Sequence, residues 1–136
     1  MAKYSAYGTL LKRSGTTIAN VQNISGPGLS LDTEDVTTHD STGAWEEVVA
    51  TILRSGEVSI DIIYDPAAAT HKYAVGGLLS DLVLRTAVIY TLIFPSTPPV
   101  TWTFNAFVTG FEPSAPHDGA LTATAKFKLT GEVTLV

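Results

Sequence analysis

The chain has 136 residues, of which 45% are hydrophobic and 15% charged, with a formal net charge of −5 and no cysteine. This length suits one domain with a sizeable core, and the composition excludes a disordered chain, a coiled coil and a disulfide framework. The eight basic residues are scattered, which argues against a protein that binds nucleic acid through clustered Lys and Arg. We expect neither a membrane span nor a signal peptide, because no apolar run approaches ~18 residues and Met1–Leu11 lacks an apolar stretch.

Alternation of apolar and polar residues predicts antiparallel strands along most of the chain. The clearest case is 121–130, where Leu, Ala and Phe alternate with Thr and Lys. Ser14-Gly15 suits a hairpin turn, and the Pro-rich segment 95–99 and segment 112–119 are expected to be connections. In chain order the predicted strands are 9–13, 17–21, 29–36, 57–64, 88–94, 100–108 and 121–130.

One helix is predicted at about residues 67–83, after Asp65-Pro66. Its leucines, Leu78, Leu79 and Leu82, are expected to pack on the sheet, and Lys72 and Asp81 to face solvent. Gly76-Gly77 weakens the helical pattern by ~1 kcal/mol per glycine. The predicted fold is mainly β: a single domain over residues 1–136, with an antiparallel β-sandwich or half-barrel of about seven or eight strands and one packed helix.

A long loop is predicted between two strands, at about residues 37–54. It begins polar and continues with Trp45, Val48, Val49 and Ile52, which are costly to leave in water. Loops this long in a compact domain are usually functional or disordered. The segment therefore indicates a surface that a partner covers, the alternative being a flap that folds onto its own sheet.

No group of residues in the sequence makes a strong catalytic or metal site. His39-Asp40 with the neighbouring Ser41 comes nearest to a catalytic set, but adjacent residues on an extended chain point apart. The three histidines follow no metal-ligand spacing. Seven of the thirteen acidic residues fall within residues 32–57, without the regular alternation of a calcium loop. We expect no enzyme activity, no cofactor and no metal.

The polar faces of two predicted strands allow two interpretations. They are either plain solvent surface or the lining of a water-filled channel, and periodicity alone does not distinguish these. If the two strands lie side by side, the lysines of one can pair with the acids of the other, which leaves the face locally neutral. The residues concerned are Glu57, Ser59 and Asp61 in one strand and Thr122, Thr124, Lys126 and Lys128 in the other.

Several stretches, in matching order and spacing over nearly the whole chain, resemble the major tail tube protein of long, non-contractile-tailed bacteriophages. They are Ile24–Ser30, Asp35–Ser41, Gly56–Ser59, Tyr64–Pro66, Trp102–Phe104 and Val108–Pro116. The family fold is a β-sandwich with one helix, shared by tail tubes and secretion-system tubes. Some members carry an additional C-terminal immunoglobulin-like domain, and because this chain stops at Val136 we expect the tube domain alone.

The resemblance implies a structural virion protein, assembled in the host cytoplasm, that forms hexameric rings. The rings stack into a hollow tube through which DNA leaves the capsid without being bound specifically. Other implied partners are the tape measure, tail tip and terminator proteins, with no membrane. Family members use the long loop for ring stacking, which implies that role for Thr38, His39, Asp40, Trp45, Glu46, Glu47, Val48 and Val49; the polar faces described above become candidates for the lumen.

Three other functions stay open at this point. A secretion-tube protein of the same fold would differ in what passes through the tube. A monomeric β-sandwich that binds carbohydrate or protein would show exposed aromatic residues on a strand face and would not assemble. An enzyme is disfavoured by the weak His and Asp evidence.

Overall fold

The computed structural model describes residues 3–135, and within them the chain forms nine strands, one α-helix and one 3₁₀ turn. The mainly β class predicted from the sequence is confirmed. The strands are β1 Leu10–Arg13, β2 Thr16–Thr17, β3 Val21–Ser25, β4 Ser30–Asp35, β5 Val48–Arg54, β6 Glu57–Ile63, β7 Val88–Phe94, β8 Val100–Ser114 and β9 Thr122–Leu135, with helix α1 at Leu78–Val83 and the 3₁₀ turn at Thr42–Ala44.

Seven strands form one antiparallel sheet in the order β2-β1-β7-β8-β9-β6-β3, curled into a half-barrel. β8 and β9 run beside each other from Trp102↔Leu135 to Ser114↔Thr122 and form its centre. Both strands are longer than the alternating patterns predicted: β8 continues through Glu112 and Pro113, which the sequence placed in a connection, and β9 continues to Leu135. The predicted turn at Ser14-Gly15 joins β1 to β2, with positive φ at both residues.

The core lies on one face of this sheet, where the apolar member of each alternating pair is buried. Tyr90 is at its centre, with its ring 4.9 Å from Phe127 and 6.3 Å from Phe104 between centroids. The buried hydrophobic residues are Leu11, Ile18, Val58, Ile60, Ile62, Leu78, Val88, Tyr90, Leu92, Phe104, Ala106, Val108, Ala123, Ala125, Phe127 and Leu129. The other face of the sheet is accessible and carries mostly polar side chains, together with apolar ones such as Ile89 and Phe107.

Helix α1 is much shorter than the predicted 67–83, and residues 66–77 form a series of turns instead. The cause is Gly76-Gly77: Gly76 has a φ of +94°, and a Cβ at Gly77 would collide with the carbonyl of Lys72. Within the helix, Leu78 is fully buried and Leu82 packs against the core, as predicted, whereas Leu79 is only partly buried. Lys72 is exposed as expected, but the prediction that Asp81 faces solvent is wrong, because that side chain is buried.

Residues 29–54 form a two-stranded hairpin outside the main sheet, which we call the arm. The predicted loop 37–54 is therefore partly wrong: its second half is strand β5, and only residues 36–47, the arm tip, connect β4 to β5. At the root of the arm, the segment that leads into β4 lies against the segment that follows β5. A Cβ at Gly26 would meet the Glu57 carbonyl, and a Cβ at Gly56 would meet the Gly28 carbonyl. Both glycines also have positive φ, so the root requires glycine.

Candidate functional site

The residues predicted for ring stacking lie together on the arm and are accessible. Every residue of β5 is exposed, so the arm does not fold onto its own sheet. Trp45 is 77% exposed, and Val48 and Val49 are about half exposed. Thr38, His39, Asp40, Glu46 and Glu47, the polar members of the predicted set, are exposed at the tip.

Hydrogen bonds within the tip hold its backbone in one shape. The Val36 N–H donates to the Glu47 carbonyl at 2.9 Å, and the Glu47 N–H donates to the Thr37 hydroxyl at 2.7 Å. The Trp45 N–H donates to the Thr42 carbonyl at 3.3 Å, which closes the 3₁₀ turn. Hydrogen bonding by Thr37, through its side chain and its N–H, lowers the pKa of Asp35 at the start of the tip. The indole of Trp45 is thus presented on a fixed turn.

The arm carries an unusual share of exposed apolar side chains. Eight of the nineteen exposed large hydrophobic residues of residues 3–135 lie in it, and Leu53 is 81% exposed. Leu31 is directly opposite Leu53, so these two side chains share one face of the hairpin. The opposite face holds the ion pair between Arg54 and Asp32, at 2.7 Å. The arm therefore leaves much of its apolar surface in water.

The second predicted site, the polar residues of β6 and β9, also comes together. The two strands are neighbours, with Glu57 opposite Lys128, Ser59 opposite Lys126 and Asp61 opposite Thr124. All of these side chains share the face of the sheet away from the core, which we call the polar face. The last of the seven, Thr122, is opposite Ile63.

The expected pairing of lysines with acids differs in detail. Among the described residues no ion pair joins Lys126 or Lys128 to Glu57 or Asp61. Asp61 instead accepts hydrogen bonds from the Thr124 hydroxyl at 3.0 Å and from the Asn23 amide at 3.3 Å. The acid is thus held by neutral partners, and the lysines remain available at the surface.

Sequence reasoning missed two members of the polar face, Asn23 and Glu112. Val108 pairs with Phe127 and Gly110 with Lys126, so β8 has one extra residue at this point, a β-bulge. The bulge inverts the alternation of β8 and places Glu112 opposite Thr124, on the polar face. A glycine inside a strand was the available signal. Where β9 pairs with β6, from Lys128 to Thr122, the polar face then has three acids and two lysines, close to charge balance.

The most polar interior cluster ties helix α1 to the sheet. Asp81, 4% exposed, accepts two hydrogen bonds from Arg13, from Nε at 2.6 Å and Nη2 at 2.7 Å, and one from the Tyr90 hydroxyl at 3.1 Å. The hydrogen bonds to Asp81 raise the pKa of Arg13, and burial followed by the Asp81 charge raises that of Tyr90. No buried side-chain polar atom within residues 3–135 lacks a hydrogen-bond partner, and the cluster stabilises the fold.

His71 has a comparable structural part. Its ring is fully buried, with Nε2 2.7 Å from the Ala19 carbonyl and Nδ1 accepting from the Asp65 N–H at 3.3 Å. The side chain thereby fastens the segment before β3 to the turns that follow β6. Both nitrogens are occupied by backbone groups, so the histidine serves the fold.

The weak catalytic candidate does not assemble into a triad. The Ser41 hydroxyl accepts from the Thr38 N–H at 3.0 Å, and the Asp40 N–H donates to the Thr38 hydroxyl at 3.3 Å, so these groups shape the tip. Within residues 3–135 no group of three His, Asp or Glu side chains could hold a metal ion. None of the helices in the same range is long and apolar enough to cross a membrane.

Residues 15–135 match the model of a protein family described as phage tail tube protein. No curated protein matches the chain in sequence.

Several solved structures share the fold at low sequence identity. The chain is similar to one in the virion of a native gene transfer agent particle, with a TM-score of 0.78, 17% identity and coverage of 98% of this chain and 99% of that one. A chain in the tail of an empty particle of this kind, refined with C6 symmetry, gives a TM-score of 0.73, 17% identity and 98% and 99% coverage. One in the sheath/tube terminator of an extracellular contractile injection system gives 0.74, 15% identity and 100% and 98% coverage.

Proposed function

We propose that this chain, which belongs to the phage tail tube protein family, forms hexameric rings that stack into a tail tube, the conduit for DNA ejection. The observation that carries the proposal is the arm: a fixed tip and an apolar surface that the subunit leaves in water. A two-stranded ribbon is marginally stable alone, so a partner that covers it stabilises it. A copy of the same chain in the next ring is that partner.

The polar face forms the lumen wall in this proposal. Threonine hydroxyls and amides hold water there, and the lysines are offset by Glu57, Asp61 and Glu112. DNA gains affinity by releasing counterions from clustered basic residues, and a wall near charge balance offers little of that. DNA therefore slides past without specific binding.

A size estimate agrees with a DNA conduit. Four strands per subunit from six subunits, at ~4.8 Å spacing and ~40° tilt, close a barrel on the order of 45–50 Å across its backbone. The strands β8, β9, β6 and β3 are adjacent in the sheet and supply these four. The tail of the similar gene transfer agent particle was refined with sixfold symmetry, which supports a hexamer here.

The protein in this account is a non-enzymatic part of the virion tail, assembled in the host cytoplasm. Its other partners are the proteins that cap and fill the tube: terminator, tape measure and tail tip. A terminator complex is among the structures with a similar chain, which supports the first of these. A non-contractile tail is supported by the sequence resemblance alone, since the similar structures include a contractile system.

The second candidate is the tube of a secretion or injection system. It is favoured by the similarity to a chain of an extracellular contractile injection system. The family match favours the phage tail. Protection of DNA from nuclease inside the tubes of ejecting particles supports the phage tail, whereas protein cargo in the tubes supports this second candidate.

Negative-stain microscopy of the purified chain tests the assembly. The proposal predicts rings of six subunits, and tubes formed by stacked rings. A chain that stays monomeric at high concentration contradicts it and favours a monomeric binding module.

Cysteine labelling tests which face lines the lumen, because the natural chain has no cysteine. In preformed tubes, a bulky thiol reagent that cannot enter the lumen should label Thr124→Cys poorly and the exposed control Lys72→Cys well. Equal labelling would place the polar face on the outside of the tube.

A further inference from the structure

A groove of about 920 Å³ lies between the arm root and the last strand of the sheet. Its apolar lining comes from both sides: Leu29, Leu31 and Leu53 of the arm, and Leu129, Val133 and Leu135 of β9. The arm leucines and Leu135 are exposed in the single subunit, so the groove presents apolar surface to water. A cavity of this volume is within the ~300–1,000 Å³ that accommodates a drug-sized molecule, and an indole with neighbouring isopropyl groups fits it.

The arm tip of another copy presents an apolar side chain of a size that such a groove can hold. Trp45 is the largest exposed apolar side chain of the arm, on a turn fixed by hydrogen bonds, with Val48 and Val49 just behind it. Buried aromatic anchors in apolar pockets dominate the energetics of most protein interfaces. The groove of the same subunit lies at the other end of the arm, so tip and groove meet only between copies.

Charge favours the same match. The tip carries Asp40, Glu46 and Glu47, and residues 14–53 contain no Lys or Arg. The groove lining includes Lys128 and Arg54, with Glu132 as its one acid. Arg54 is paired with Asp32, which leaves Lys128, where the polar face reaches the groove beside Gly56, as the cation that the acids beside Trp45 would meet.

We infer that the arm tip of one copy docks in the groove of a second copy, with the Trp45 indole seated between the arm root and the end of β9. The acids flanking the indole lie against Lys128. The contact is head-to-tail, so it propagates from copy to copy and produces an extended assembly. The inference rests on the proposed tube function and specifies the contact that holds neighbouring subunits.

Disulfide trapping tests the contact directly. A chain with Glu46→Cys at the tip and Leu135→Cys in the groove should, when assembled and oxidised, give a ladder of covalent multimers on a non-reducing gel. The matched control combines Glu46→Cys with His117→Cys, an exposed position outside the groove, and should give no ladder. Tubes without a ladder from the groove pair overturn this inference and leave the tube proposal intact; wild-type protein that never assembles overturns both.

A charge reversal tests the contact without relying on cysteine geometry. Glu46→Lys should raise the concentration needed for assembly at least about tenfold, because it places a cation against Lys128. Adding Lys128→Glu should restore assembly, whereas adding Lys72→Glu should not. Equal rescue by the two second substitutions, or none by Lys128→Glu, overturns the inference.

Discussion

The seven-stranded sheet and the arm are made of strands with similar composition, yet the sheet buries its apolar side chains and the arm exposes them. In β9 a buried residue alternates with an accessible one from Ala123 to Leu129, and the buried set enters one continuous core. In β5 all seven residues are exposed, although four of them are Val, Ile or Leu. The sheet therefore supplies the stability of the subunit, and the arm supplies surface for another molecule.

The first prediction concerns the sheet, where the largest effect on stability is expected. Phe104 and Phe107 lie on opposite faces of β8, 3% and 39% exposed. Phe104→Ala should lower the free energy of unfolding by about 3–5 kcal/mol, since it leaves a cavity beside Tyr90. Phe107→Ala should cost about 1 kcal/mol or less. Urea denaturation of both variants checks this, and equal losses would mean that the sheet buries both faces.

A smaller loss is expected at the buried cluster that fastens helix α1. Asp81→Asn removes the charge opposite Arg13 but keeps an acceptor for Tyr90. Breaking a buried pair costs about 3–5 kcal/mol, and because the Arg13 side chain is 18% exposed we expect about 2–3 kcal/mol. Thermal denaturation measures the loss. An unchanged midpoint would show that the pair adds nothing to the subunit.

The arm should show the reverse behaviour. Trp45→Ala should change the free energy of unfolding by no more than about 0.5 kcal/mol, because the indole has little contact with its own subunit. It should abolish polymerisation, since burying one aromatic and two β-branched side chains contributes several kcal/mol per contact. Lys72→Ala, also at an exposed site, is the control and should assemble normally. If Trp45→Ala unfolds the subunit, the arm belongs to the fold.

The sequence predicted the sheet better than the elements around it, for physical reasons. Because one face of the sheet is buried, apolar and polar residues alternate in 57–64, 100–108 and 121–130, and this alternation predicted three of its strands. The predicted helix was too long because the chain turns at Gly76-Gly77, and the helical spacing of the leucines does not indicate that turn. Asp81 was misplaced because its partner Arg13 is 68 residues away.

The sequence predicted part of the candidate site. Exposed apolar residues in a long connection pointed to the arm, but the pattern of β5, apolar on both faces, concealed a strand that has only one neighbour. On the polar face, strict alternation found β6 and β9 but excluded Glu112, because the bulge at Thr109-Gly110 shifts the register of β8. Tertiary contacts determine where a β-bulge interrupts strand pairing, so the alternation of apolar and polar residues does not predict its position.

Amide hydrogen exchange, followed by mass spectrometry on the free subunit and on the assembled tube, compares the two regions most directly. In the free subunit we expect fast exchange in Val48–Arg54, because the arm lacks buried contacts, and strong protection in Val88–Leu92, where buried residues alternate along β7. On assembly the arm should become protected while β7 stays unchanged. Strong protection of the arm in the free subunit, or no gain on assembly, would contradict the division between a stable sheet and an assembling arm.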